Sequence, residues 1–535
     1  MWILYAGGNP QWTILRHNGP YFVEPYQVKN LKVIYNGNEL KVDDLTEEKL
    51  FNFVKYLETD YINNSTFKRN FWKSIRKSFP DKVTLDELDL TQFIRQYNKE
   101  KNEKLAKTKE EKEEIKQLND EKEASYKIVR IDGAEQKVGN FKIEPPGIFL
   151  GRGTHPKIGM WKSRINPEDV TLNLDKDAPI PKPNIKGSKG WKKIIHQRDA
   201  IWLATWKDEV TGKNKYVFPS VESLFKAKSD QEKFDLAKKL KSKVGTIRKT
   251  YQEDLEHEDI KTRQLATALY FIDNLALRVG GKKDTKEQAD TVGVTSLRVE
   301  HLTLNDNNII RLDFLGKDSI RFCKLIPVDT QVYKNLQEFI LDKNKKDDLF
   351  DKITSSYIND YLKSFMNNLT AKVWRTFKAS STFQKEINKI DLDKFKSQND
   401  NDRLNYLLSM FNQANTQVAL LCNHQKGVSK TFNEQINKIK DRIKELKKKK
   451  KKYQEKKKKD LVQKVTSKLE LLKTKVQTKE KMKNVSLGTS KTNYIDPRII
   501  ISFAKKFKIP TDKIFTTTLL KRFEWALDVD ETYQF

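Results

Sequence analysis

The run Ser490-Lys491-Thr492-Asn493-Tyr494-Ile495-Asp496-Pro497-Arg498 presents one tyrosine in a rigid, basic frame. A phenol so framed is a candidate nucleophile for a phosphodiester. Pro497 fixes its own φ and biases Asp496 away from helix, so Tyr494 is expected on a short turn before a new helix, where its oxygen can meet a ligand. Moving a phosphodiester onto tyrosine also needs cations for a pentacoordinate phosphorane and an acid for the departing alkoxide. Arginine suits the cationic role because its planar fork matches two phosphate oxygens and stays charged. Lysine suits the acid role if nearby cations depress its pKa, a step that typically contributes about 10²- to 10⁴-fold. Histidine can donate a hydrogen bond to a nonbridging oxygen in either charge state.

Arg278, Lys317, Arg375 and His424 are candidates of the required types, but periodicity does not show that they converge on Tyr494. Each also has a packing role open to it. Arg278 can cap a helix C-terminus, Lys317 can be an exposed hairpin tip, Arg375 can pair with a carboxylate, His424 can sit satisfied at the edge of a core, and Tyr494 can pack before an N-capped helix.

The elements around them follow from local pattern. Leu265, Leu269, Phe271, Ile272, Leu275 and Leu277 make a buried helix that ends at Arg278, before Gly280-Gly281. Ile309 to Phe314 and Ile320 to Leu325 read as strands joined by residues 315–319, which puts Lys317 at a hairpin tip. Helices are expected onward through Arg375 to His424, with Leu407 to Cys422 in the core. Further upstream, Leu31 to Val42 reads as a hairpin about Asn36-Gly37 and Glu47 to Leu57 as a helix. Residues 99 to 125 read as one solvated helix anchored by Leu105, Ile115 and Leu118. Ala200 to Trp206 with Lys215 to Phe218 forms another hairpin about Thr211-Gly212. Between 427 and 483, Phe432, Ile436, Ile439, Ile443, Leu446 and Tyr453 keep a heptad rhythm. Leu461 or Val462, Val465, Leu469, Leu472 and Val476 repeat it, so an antiparallel coiled coil is expected, broken by Lys447 to Lys452 and Lys456 to Lys459.

The whole is an α+β multidomain chain. A mixed lobe (1–220) is followed by a mainly helical region with a β-hairpin (221–426). An antiparallel coiled coil (427–483) and a small helical C-terminal domain (484–535) complete it. Its 535 residues exceed what one core organises. Lys and Arg total 104 against 73 acidic residues, a net charge of +31, which attracts polyanions: DNA, RNA or an anionic membrane surface. No apolar run is long enough for a transmembrane helix. Met1 to Gly8 has neither the basic start nor the length of a secretion signal. Cys323 and Cys422 cannot build a disulfide framework, which fits a reducing compartment, and with six scattered histidines they give no zinc-ligand spacing. No built-in metal is expected.

Six motifs resemble the eukaryotic type IB DNA topoisomerases: Phe141 to Phe149, Thr291 to Gly293, Ser296 to His301, Asp313 to Arg321, Thr370 to Phe377 and Leu487 to Arg498. The resemblance runs in family order from about His17 to the C-terminus. The resemblance implies that Tyr494 attacks the scissile phosphate and becomes linked to the DNA 3′ end. Arg278, Arg375 and His424 then stabilise the transition state and Lys317 protonates the 5′ oxygen. Rotation of the free end would relax either sign of supercoil without ATP or an obligatory metal, Mg²⁺ or Ca²⁺ being at most stimulatory, before religation. The resemblance also implies a monomeric clamp around duplex DNA, bound largely without sequence specificity and not tied to a membrane, with 1–220 as its cap or DNA-binding lobe, 221–426 as the catalytic core, 427–483 as the coiled-coil linker and 484–535 carrying the nucleophile. Arg152, Asp318 and Asn493 match positions lining the cleaved-DNA site, where camptothecin-type inhibitors stack, and Arg321 and Lys491 join them as expected DNA contacts. Leu150 stands where the family commonly has arginine, so weaker or more salt-sensitive binding is expected. The family's charged N-terminal tail is not in the sequence, so nuclear import would rest on the linker lysines, with a viral factory or virion as the alternative setting. A tyrosine recombinase shares the chemistry but would need synaptic contacts and sequence-reading elements. A noncatalytic DNA-binding protein would not need the five side chains.

Overall fold

The computed structural model describes residues 10–390, 400–428 and 431–535. The Met1 to Gly8 stretch, residues 391–399 of the expected helical run and residues 429–430 of the expected linker lie outside them. The chain divides into two compact units, Met1–Lys226 with Lys283–Asp290, and Ala227–Lys282 with Thr291–Phe535. Each mixes helix and strand, as the α+β multidomain reading expects.

The first unit holds two cores. In one, the helix Asp44–Phe53, capped by Asp43, packs Leu50, Phe51 and Phe53 against Phe67 and Phe71 of Ser65–Ile75. The Phe53 and Phe71 rings stack at 4.4 Å. The hairpin Val33–Tyr35 with Asn38–Leu40 turns through Asn36 (φ 48) and Gly37 (φ 79), left-handed angles that this residue pair tolerates. The other core lies on two sheets, Leu15–His17 with Ile128–Ile131 and Ala134–Lys137, and a four-stranded sheet that includes Ala204–Lys207 paired with Asn214–Val217. The charged stretch from 99 to 125 is two helices rather than one, Thr91–Ala106 and Lys109–Glu123. Thr108 breaks it because its hydroxyl and Glu111 form a capping box that starts the second helix. Leu105, Ile115 and Leu118 are exposed and anchor nothing.

In the second unit helices surround a three-stranded antiparallel sheet, Leu302–Asn305, Ile309–Leu315 and Arg321–Pro327. The last two strands pair from Ile309↔Pro327 to Leu315↔Arg321, with the Lys317 tip between them. Phe432–Glu455 and Lys459–Lys481 form an antiparallel helix pair, with Leu446, Val465 and Leu469 in the seam and Lys440 bridging Glu480. Lys447 to Lys452 continue the first helix instead of breaking it, since an exposed lysine is a good helix former. Only Lys456 to Lys458 turn the chain, with Lys457 left-handed at φ 52. Downstream, Leu487–Asn493 and Pro497–Lys506 flank Tyr494. Ile495, Ile499 and Ile500 are fully buried. At roughly 1.5–3 kcal/mol for each fully buried aliphatic side chain, they fasten that segment to the core.

Candidate active site

Five separate segments bring their side chains to one place in the second unit. The helix Ile260–Leu275 ends at Ala276, which takes the left-handed conformation (φ 49). Arg278 follows two residues later. Its backbone is then pinned: Val294 N donates to Arg278 O at 2.9 Å and Thr295 N to Val279 O at 2.8 Å. That approach requires Gly293, where a Cβ would lie 2.5 Å from the Gly280 Cα. Val292 N donates to Leu315 O at 2.8 Å, which ties the Arg278 segment to the strand leading into Lys317. At the tip Gly316 N donates to Ile320 O at 2.8 Å, and Asp318 and Ser319 are both left-handed.

Arg375 lies on Ala371–Ile387 and is buried. Its guanidinium donates to the carbonyls of Ala276 and Cys422, so one side chain links the end of the Arg278 helix to the end of the His424 helix. Neighbouring Trp374 donates its indole N–H to Asp273 at 3.2 Å. Asp273 also takes two bonds from Arg248, at 2.7 and 2.9 Å, and one from the Tyr251 hydroxyl, and it pairs with Lys378 at 3.3 Å. Burial pushes the Asp273 pKa up, but the Arg248 bonds, the Lys378 and Arg248 charges and the Trp374 donor outweigh it and hold it at about 2. A carboxyl whose folded pKa is depressed stabilises the fold above its unfolded pKa and loses that contribution as pH falls through the folded value. Asp273→Asn, which leaves the partly exposed Arg248 and Lys378 short of their carboxylate, is therefore expected to lower unfolding free energy by about 2–3 kcal/mol at neutral pH. The gap to the parent should narrow as pH drops from about 4 toward 2. Guanidinium unfolding followed by tryptophan fluorescence reads both, and a gap that does not change with pH would contradict the charge argument.

His424 follows Asp400–Leu421, the chain turning at left-handed Asn423 (φ 51). Ser486 N donates to His424 O at 2.8 Å and Lys426 N to Asn484 O at 2.9 Å, which brings the histidine beside the tyrosine segment. Its Nδ1 lies 2.7 Å from Ser490 Oγ, and its Nε2 is buried with no partner among the described residues. Burial, then the Arg375 and Arg278 charges, lower its pKa to about 3, so the imidazole is neutral at physiological pH.

Tyr494 caps Leu487–Asn493 at its C-terminus, and Asp496 caps the helix that Pro497 opens, the turn expected from the Pro497 argument. The phenol is more enclosed than that argument expects, at 6% exposure. Its ring centroid lies 5.2 Å from the Arg375 guanidinium carbon, 5.8 Å from that of Arg278 and 5.1 Å from the His424 ring. Arg278 Nη1 donates to its hydroxyl at 2.9 Å. Beside this group is a cavity of about 140 Å³, whose lining includes Arg278, Lys317, Arg375 and His424. Three cationic side chains, a neutral imidazole and a phenol held on one of the guanidinium groups form a constellation suited to a phosphodiester. Among the described residues no group of three or more His, Cys, Asp or Glu side chains is placed to hold a metal ion, and no helix is long and apolar enough to cross a membrane.

Family comparison decides the affiliation. The eukaryotic DNA topoisomerase I DNA-binding fragment matches residues 10–219, the eukaryotic DNA topoisomerase I catalytic core residues 222–457, and the C-terminal topoisomerase domain residues 466–535. DNA topoisomerase 1 of Caenorhabditis elegans is 41% identical, aligned over 98% of this chain and 68% of its own length. DNA topoisomerase 1 beta of Arabidopsis thaliana is 39% identical over 99% of this chain and 60% of its own length, and DNA topoisomerase 1 of Homo sapiens 37% identical over 98% and 72%. The chain belongs to the eukaryotic DNA topoisomerase I family. Its activity is that of a type IB topoisomerase, which nicks one strand of DNA and relaxes supercoils.

The residues expected to touch DNA are more dispersed. Asp318 lies in the cavity wall beside Lys317, and Asn493 is exposed just before Tyr494, its carbonyl accepting from Lys233 at 3.1 Å. Arg321 is exposed and makes two bonds to Asp313, at 2.7 and 2.6 Å. The Lys491 amine turns toward its own domain and donates to the Ile514 carbonyl, and burial lowers its pKa. Arg152 is exposed in the first unit, on the loop formed by left-handed Gly151 and Gly153. Three polar residues that shape the site were not among the candidates: Asp273, Ser490 and Ser380. Ser380 donates to Tyr494 O at 3.1 Å and accepts from Asp496 N at 3.0 Å. Ser490 at least stands in the tyrosine run, one helical turn before Tyr494, and that spacing is a signal that could have found it.

Proposed function

We propose that Tyr494 is the nucleophile of strand cleavage. Its oxygen gives up its proton to solvent and bonds to the scissile phosphorus as the P–O5′ bond breaks, leaving the 3′ end on the enzyme and a free 5′ hydroxyl. The observation that carries this reading is the 2.9 Å bond from Arg278 to the phenol, beside a cavity that Lys317, Arg375 and His424 also line. Arg278 can stabilise charge developing on the phenol oxygen, and with Arg375 it can hold the nonbridging oxygens of the phosphorane. His424, being neutral, contributes a hydrogen bond rather than a charge. Lys317, exposed on the hairpin tip, can reach a departing 5′ oxygen and give it a proton, and the reverse attack by the 5′ hydroxyl reseals the strand. No step in this scheme consumes ATP or calls for a metal ion, although Mg²⁺ or Ca²⁺ could still speed turnover through the DNA.

The same reading assigns duplex DNA as the partner of a monomer, bound through phosphates and hence salt-dependent. The first unit would serve as the cap over the duplex. The antiparallel helix pair would be a coiled-coil linker that damps rotation of the free end. Nuclear residence follows from the family and the lysine runs at 447–452 and 456–459, against a viral setting, and imaging of a tagged chain in its host decides between them.

The test is to trap the covalent complex on a nicking substrate in EDTA without ATP, digest it and map the adduct by mass spectrometry. The expected product is a 3′-phosphodiester on the peptide carrying Tyr494. An adduct on another residue, or none until metal is added, would overturn the mechanism. Run with camptothecin, the same reaction should accumulate adduct if the surroundings of Arg152, Asp318 and Asn493 take such inhibitors, and an unchanged yield would remove that assignment.

A further inference from the structure

We infer that Ser490 is the positioning residue that fixes the tautomer of His424, so that the imidazole presents its Nε2–H to a nonbridging phosphate oxygen. This deepens the proposed mechanism and rests on its assignment of His424.

Polar satisfaction decides which nitrogen carries the proton. Ser490 is fully buried, and its hydroxyl has one partner among the described residues, His424 Nδ1 at 2.7 Å. An imidazole in its neutral form has one N–H and one acceptor nitrogen, and the hydrogen bond made by one nitrogen decides where the proton sits. If Nδ1 carried the proton and donated to Ser490, the hydroxyl hydrogen would be buried without an acceptor and the Nε2 lone pair would be buried without a donor. If instead Ser490 donates to Nδ1, hydroxyl and Nδ1 are both satisfied. One group is then left over, an Nε2–H beside the cavity, waiting for an acceptor. A buried polar group left without a partner keeps its full desolvation penalty, so the second arrangement is favoured even before DNA arrives.

The surrounding backbone holds the pair in register. Ser486 N donates to His424 O, and Tyr494 N and Ile495 N both donate to Ser490 O, so Ser490 is built into the turn that carries the tyrosine. The low pKa of His424 agrees with this geometry: an imidazole that stays neutral beside two arginines has a tautomer to fix. It follows that His424 donates a hydrogen bond and does not shuttle a proton, which leaves the acid role to Lys317.

The test combines spectroscopy with kinetics on the full chain. In protein labelled with ¹⁵N-histidine, and with the His424 resonances assigned by their loss in His424→Gln, the wild type is expected to show a protonated Nε2 and an acceptor Nδ1. In Ser490→Ala the proton should redistribute toward Nδ1. Single-turnover cleavage should then slow by about 10- to 100-fold, taking as a guide the cost of removing the hydrogen-bond partner that orients a metal-bound imidazole, with DNA affinity and melting temperature unchanged. A wild-type proton on Nδ1 would overturn the inference without need of any variant. So would slower cleavage by Ser490→Ala with an unchanged tautomer, or wild-type cleavage rates with a changed one. Wild-type cleavage by His424→Gln would instead strike down the role of His424 itself, and this inference with it.

Discussion

Tyr494→Phe should bind duplex DNA as the parent does and relax none of it. The substitution keeps the ring, and with it the packing at 5.2 Å from Arg375, 5.8 Å from Arg278 and 5.1 Å from His424. It removes one oxygen and the bond that Arg278 donates to it. The fold loses little, because Arg278 can turn its freed N–H to the solvent of the adjoining cavity. The chemistry loses everything, since a phosphotyrosine cannot form without the phenol oxygen. The measurement is relaxation of negatively supercoiled plasmid in EDTA without ATP, with equal duplex binding shown first. Activity surviving in the variant would point to another nucleophile or a contaminant. Inactivity of both proteins across a range of salt would favour a protein that binds DNA without cleaving it.

Lys317→Ala is expected to slow cleavage by about 10²- to 10⁴-fold on ordinary DNA, the span that a positioned general acid contributes. The site of the change makes the result interpretable. Lys317 is exposed at the end of a hairpin whose register is set by Ile309↔Pro327 through Leu315↔Arg321 and whose tip is closed by the Gly316 to Ile320 bond. Removing its side chain therefore leaves the sheet intact, and a loss of rate can be read as a loss of proton transfer. On DNA with a 5′-bridging phosphorothiolate the leaving group needs no acid, so the variant should cleave that substrate at close to the parent's rate. If the phosphorothiolate does not rescue cleavage, Lys317 is not the acid.

Much of the local frame of this site can be read from the residues alone. Alternation on either side of 315–319 gives the hairpin and puts Lys317 at its tip, and Pro497 with Asp496 marks the start of the helix after Tyr494. These signals are legible because they depend on neighbours: a two-residue period, a fixed φ, a capping side chain. Where local signals compete, the pattern misleads. The Thr108 capping box was hidden in a run of charge and divided a helix that composition suggested was continuous, and the lysines at 447–452 looked like a break but continued a helix.

The charge, the family motifs, the types of side chain available for phosphoryl transfer and the short elements that carry them are all written in the order of the residues. That those side chains meet is a property of the fold. Arg278 and Tyr494 are 216 residues apart, and Arg375 reaches two backbone carbonyls, an acceptor that every residue carries and that no residue type reveals. The burial of the phenol, the Asp273 network under Trp374 and the orientation of His424 by Ser490 belong to the same class. Such contacts are set by how helices pack over long loops, and a pair formed that way leaves no period in the chain from which it could be read.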